Sequence, residues 1–143
     1  MINNKTKAII LQIILIAVFT IVFVVGILDE LNTNSENLIE SFLNGFSAFT
    51  CVIPSAAVLV SNINWFFVNK YKSKENFAKW SVIFYVFAYI IGIICGFIHY
   101  EMTLTIEGFN FYLLLLGPGI ILAILFSIVI YFLSKVYFRL IKE

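Results

Sequence analysis

Four stretches of the 143-residue chain contain no Asp, Glu, Lys or Arg: residues 8–28, 46–69, 80–100 and 112–134. An α-helix rises about 1.5 Å per residue, so roughly 20 residues cross a hydrocarbon core about 30 Å thick. Each stretch is long enough. Within lipid the backbone must satisfy its own hydrogen bonds, and an uninterrupted apolar run does so as helix. Strands of a membrane barrel would be shorter and alternate in polarity, a pattern the chain lacks. The runs predict an all-α membrane protein: four transmembrane helices in a compact bundle, one membrane domain over residues 1–143.

Composition excludes the other broad classes. The chain is 62% hydrophobic and 12% charged, against about 45–50% and 25% in soluble domains. Low charge and 16 Phe also exclude a disordered chain. Lys5 and Lys7 ahead of the first run imitate a secretory signal. The run is longer than the usual h-region, and Gly26-Ile27-Leu28-Asp29 offers no small-x-small cleavage site, so a retained signal-anchor is expected.

The charges set an orientation. Lys5 and Lys7 precede the first run, Lys70, Lys72, Lys74 and Lys79 lie between the second and third, and Lys135, Arg139 and Lys142 follow the fourth. The connections 29–45 and 101–111 hold no Lys or Arg, only Asp29, Glu30, Glu36, Glu40, Glu101 and Glu107. With Glu75 and Glu143 counted against the nine basic residues, a net charge of +1 separates into +7 on one side and −6 on the other. The positive-inside rule then makes both termini and the 70–79 loop cytoplasmic, and the imbalance excludes dual topology. Trp65 and Trp80, with Tyr71 and Tyr137 at similar depth, are expected as interfacial anchors.

Connection 29–45 is long enough to hold structure. Thr33 and Glu36 have capping-box spacing, Leu38, Ile39, Phe42, Leu43 and Phe46 recur at helical period, and Gly45 is a plausible stop. A short amphipathic outer helix over about 36–44 is expected, as a lid or a recognition surface. For 101–111 a simple loop is preferred to a small hairpin.

Helices in lipid associate through close backbone approach, which small residues permit. Ser47, Cys51 and Ser55 in the second span, Gly92 and Gly96 in the third, and Gly119, Ala123 and Ser127 in the fourth form such stripes. Pro54 and Pro118 should each kink a span, with Gly117-Pro118-Gly119 the preferred hinge. The strings Phe66-Phe67-Val68-Asn69-Lys70 and Tyr131-Phe132-Leu133-Ser134-Lys135 look alike, which duplication of a two-helix hairpin or simple convergence would explain.

Candidate chemistry is sparse. Proton relays and ion carriers need ionisable groups within the bilayer, and His99, at the outer end of the third span, is the sole one in the runs. No nucleophile–base pair, phosphate-binding loop or metal-ligand spacing stands out, so neither an enzyme, a cofactor nor a metal site is expected. Cys51 and Cys95 fall at similar depth and are read as small apolar residues, with a disulfide the alternative. Ser61, Asn62 and Asn64 form the most polar part of any span, as interhelical bonds or as a candidate polar cavity.

Asn62-x-x-Trp65-x-Phe67, at the inner end of the second span, resembles a pattern in GtrA-like proteins, though the basic residues usual within that motif are missing. The resemblance covers six residues and implies a four-span protein translocating a lipid-linked sugar. In size, topology and composition the chain is also similar to four-span immunity proteins against pore-forming bacteriocins. Its richness in Ile, Asn, Lys and Phe fits an AT-rich bacterial genome. The expected location is therefore a bacterial inner membrane. The expected mode of action is contact with lipid and with another membrane protein, as an immunity, accessory or regulatory subunit. A homo-oligomer is an open option, and no nucleic-acid partner is expected. The alternative is a translocator of a lipid-linked or small amphipathic substrate.

Overall fold

The computed structural model describes residues 2–34 and 37–143, of Asn34 the backbone only. Six helices account for nearly all of it: α1 (Asn4–Asn34), α2 (Leu38–Cys51), α3 (Ser55–Phe66), α4 (Lys74–Thr103), α5 (Ile106–Leu116) and α6 (Pro118–Lys142), with a 3-10 turn at Val68–Lys70. Among the described residues there is no strand. α1, α4 and the continuous run of α5 and α6 are long and apolar enough to cross a membrane, and α2 with α3 makes a fourth such span if the bent pair is one. Only 11%, 33% and 17% of the apolar windows of the three long helices are buried. Most of their hydrocarbon therefore faces away from the bundle, as with Ile21, Ile121 and Phe132. A soluble monomer does not present apolar surface on that scale.

The core runs along the bundle in three tiers. At the end carrying both termini, Ala8, Trp65, Val68, Phe77, Tyr137 and Phe138 pack together. Ala57, Val58, Tyr85, Ala88 and Ile130 form the middle tier, and Cys51, Tyr89 and Leu115 the third. Lys142 donates to the Asn69 and Tyr71 carbonyls, and Lys135 lies 3.9 Å from Glu75, so the C-terminus and the 67–73 turn share this basic end.

Several local expectations change. Helix α2 begins at Leu38 and continues through Gly45 to Cys51, so the separate 36–44 helix and the start of the second span are one element. Its N-cap is Asn37, whose Oδ1 accepts from the Glu40 amide at 2.9 Å. Thr33 instead lies in α1, donating to the Asp29 carbonyl, and Glu36 lies outside the described residues. Gly45 serves a close crossing, not a stop: a Cβ there would sit 2.8 Å from Ile27 Cγ1, and one at Gly26 would enter the Phe49 ring.

Segment 101–111 is not a loop. α4 runs to Thr103, Leu104 closes it at φ 50°, and Thr105 caps α5 by accepting from the Gly108 amide at 3.0 Å. Of the two prolines, Pro54 makes the sharper break. α2 and α3 meet at 73°, with the Val52 and Ile53 amides both returning to the Ala48 carbonyl. Pro118 falls at the first position of α6, where its missing N–H removes no helical bond, and the apolar run Ile106–Lys142 continues across Gly117.

Candidate functional site

Three places bring polar or small residues together: a seam between α2 and α4, a polar knot at Asn64, and a cavity at the end away from the termini. The seam is built from α2 residues spaced three and four apart, which share one face of a helix. A Cβ at Gly92 would lie 2.8 Å from Thr50 Cβ and 3.1 Å from Cys51 Sγ, and one at Gly96 would lie 3.3 Å from Ser47 Cβ. Glycine at both positions lets α4 lie directly against Ser47, Thr50 and Cys51, all fully or nearly fully buried. Gly119 joins from α6, its added Cβ 3.0 Å from the Tyr89 hydroxyl and 3.6 Å from the Cys51 carbonyl.

Ser55 opens α3 across the break, fully buried, its hydroxyl donating to the Phe49 carbonyl at 3.3 Å. Ala123 packs against the middle and third tiers, and Ser127 is half-buried on α6. Both cysteines are free thiols, and Cys51 Sγ points to the Tyr89 carbonyl at 3.8 Å.

The two helix breaks sit side by side around Tyr89. Its hydroxyl donates to the Leu115 carbonyl at 2.8 Å, just before Gly117, while its backbone carbonyl faces Cys51, just before Pro54. Tyr89 thus occupies a carbonyl that the interrupted helix α5–α6 would otherwise leave without a donor.

The Ser61, Asn62 and Asn64 group is buried and bonded within the chain. Ser61 and Asn62 both donate to the Val58 carbonyl, at 2.8 and 3.0 Å, inside their own helix. Asn64 reaches α4 instead, donating to Ser81 Oγ at 2.9 Å and the Phe77 carbonyl at 3.3 Å, while Tyr71 donates to its Oδ1. Burial pushes the Tyr71 phenol up. Neighbouring Trp65 is 3% exposed, stacked on Tyr137 at 4.3 Å and bonded through Nε1 to Ser134 Oγ at 3.1 Å. Trp65 and Tyr137 are therefore core residues, not interfacial anchors, whereas Trp80 is 49% exposed.

Gln12 was passed over in the sequence. A lone amide inside an apolar run was the available signal; it is buried and accepts from the Tyr137 hydroxyl at 2.8 Å, tying α1 to α6.

The cavity, about 500 Å³, opens at the acidic end between four helices. Glu30 of α1, Asn44 of α2, His99 and Thr103 of α4, and Glu107 and Phe111 of α5 line it. His99 is its most buried part, Glu107 its exposed rim, and the Asn44 amide donates to Glu30 Oε1. Among the described residues no three His, Cys, Asp or Glu side chains group closely enough to hold a metal ion. Compared with family models, curated proteins and solved structures, the chain matches none.

Proposed function

We propose that the chain is a multi-pass protein of a bacterial inner membrane that acts through contact with lipid and with another membrane protein, as an immunity, accessory or regulatory subunit. Its basic end, with both termini and the 67–73 turn, faces the cytoplasm, and its acidic end faces out. The observation that carries this reading is how the mid-bundle polar groups are used. Asn62, Asn64, Ser61 and Tyr89 are all engaged in bonds within the chain. The apolar windows contain no carboxylate, lysine or arginine of the kind that couples ions to transport.

A second reading, translocation of a lipid-linked or small amphipathic substrate, draws on the sharp break at Pro54, which lies beside the α5–α6 joint at Gly117. Discontinuous helices are a feature of substrate paths in transporters. Reconstitution of the pure protein in proteoliposomes separates the two. Contact predicts no flux of ions or lipid-linked sugar above that of empty vesicles, and robust flux overturns it. In a chain whose native cysteines are replaced by Ala, Ser35→Cys should react with an impermeant maleimide from outside the cell and Ser73→Cys only after lysis. The reverse pattern refutes the orientation.

A further inference from the structure

We infer that the cavity at the acidic end is a binding site for a guanidinium or ammonium head group carried on an alkyl stem. This goes beyond the contact reading and does not depend on it.

The hydrogen-bonding polarity of the lining carries the inference. Thr103 spends its hydroxyl proton on the His99 and Tyr100 carbonyls, at 3.1 and 3.4 Å, leaving its oxygen as an acceptor. The Asn44 side-chain nitrogen is turned to Glu30, which leaves Asn44 Oδ1 as another. Glu30 and Glu107 contribute carboxylates, which accept only. Apart from the buried His99 ring, which also carries an N–H donor, the described wall is thus rich in acceptors, and among the described residues no Lys or Arg contributes to it.

Charge points the same way. All nine basic residues lie at or toward the opposite end of the sequence-defined spans, whereas Asp29, Glu30, Glu40, Glu101 and Glu107 cluster in sequence at this end. α4 alone, 30 residues long, separates the two ends by roughly 45 Å. That is several Debye lengths at physiological salt, so the basic end does not offset the acidic one.

The spacing selects an organic head over a bare ion. A divalent cation needs oxygen ligands converging to about 2.0–2.6 Å, and the described side chains form no such group. Here the acceptors are spread around about 500 Å³, within the size range of small-molecule sites. A guanidinium, with five N–H donors in a fixed fork, reaches acceptors so dispersed, and Phe111 offers an apolar face to its stem.

The site is tested on the full chain in nanodiscs by calorimetric titration with agmatine, a free guanidinium amine, and with the capped peptide Gly-Arg-Gly. The citrulline analogue of the peptide is the neutral control. Saturable binding of an arginine-type probe, absent with citrulline and weakening as salt rises, supports the site. Tighter binding of agmatine assigns the head group to a free amine, and tighter binding of the peptide to a partner's side chain. E107Q, on the exposed rim, and E30Q, whose amide oxygen still accepts from Asn44, should each weaken binding by about tenfold or more. Their helical circular dichroism and melting should match the parent. No saturable binding of either probe, equal binding of citrulline, or undiminished binding in E30Q/E107Q overturns the inference.

Discussion

Replacing Gly96 by Ala tests whether the α4 seam is as tight as its geometry implies. The added Cβ would lie 2.5 Å from Leu115 Cδ1 and 3.3 Å from Ser47 Cβ, where carbon pairs prefer about 3.5–4.0 Å. Leu115 and Ser47 are both fully buried, so neither has an open side to turn to. Overpacking of this kind costs about 1–3 kcal/mol, and replacing glycine within a helix returns up to about 1 kcal/mol. The expected net loss is about 0–2 kcal/mol.

Leu115→Ala removes the colliding methyl. Alone it should cost about 1–3 kcal/mol, less than a water-soluble core would lose, because lipid is as apolar as the interior and mainly the cavity is felt. In the double variant both changes use the same space, so the losses should fall short of additive by about 1–2 kcal/mol. The assay is equilibrium unfolding of the four proteins by SDS titration in mixed micelles, followed by tryptophan emission. Ile94→Ala, at a half-exposed position of the same helix, serves as a near-neutral control. Strict additivity, or a Gly96→Ala protein more stable than its parent, would refute the claim that α4 and Leu115 meet through this glycine.

Three further outcomes are expected. Tyr89→Phe removes the bond to the Leu115 carbonyl and should lower stability by about 1 kcal/mol in the same titration; an unchanged midpoint would mean that this tie between the two breaks contributes nothing. Asn64→Ala should cost about 1–3 kcal/mol and Asn62→Ala less than about 1 kcal/mol, since only the former bonds to another helix; equal losses would contradict that division. With Trp65→Phe, the remaining emission from Trp80 should be quenched strongly by brominated lipid. With Trp80→Phe, emission from stacked Trp65 should resist both brominated lipid and acrylamide, and equal quenching of the two would refute the burial of Trp65.

Much of the helical architecture was legible because a charge-free run of more than 20 residues has few folded solutions. The paired glycines were legible for a related reason: Gly92 and Gly96 fall on one face by helical periodicity alone. That they meet Ser47, Thr50 and Cys51 of α2 was not. Nothing local says which stripe on a neighbouring helix is turned toward them.

The misreadings have particular causes. Trp65 and Trp80 share a depth along the bundle, and the aromatic-belt rule concerns depth, not direction around the helix. Direction decides that one is buried on Tyr137 and the other exposed. Segment 101–111 reads as a loop because it is short, and the alternation of Thr103-Leu104-Thr105-Ile106 suits a hairpin and hides the helical period. Leu104 gave no warning that it would take a left-handed angle, which β-carbon-bearing residues usually avoid. The Gly-Pro-Gly string looked like the better hinge. Yet Pro118 begins a helix, where proline is tolerated, while Pro54 sits in a three-residue break with a 73° turn.

Sequence alone determined that the chain is helical, where its long apolar segments fall, and that its charges divide by loop. These are properties of a segment and its solvent, and each can be summed residue by residue. Tertiary structure decided which polar groups are spent within the fold and which line a space. Asn64 and Gln12 became internal ties, while Glu30, Asn44, Thr103 and Glu107, from four different helices, came to share one cavity. A hydrogen bond depends on the direction and partner of both groups, and only the packing of the helices supplies either.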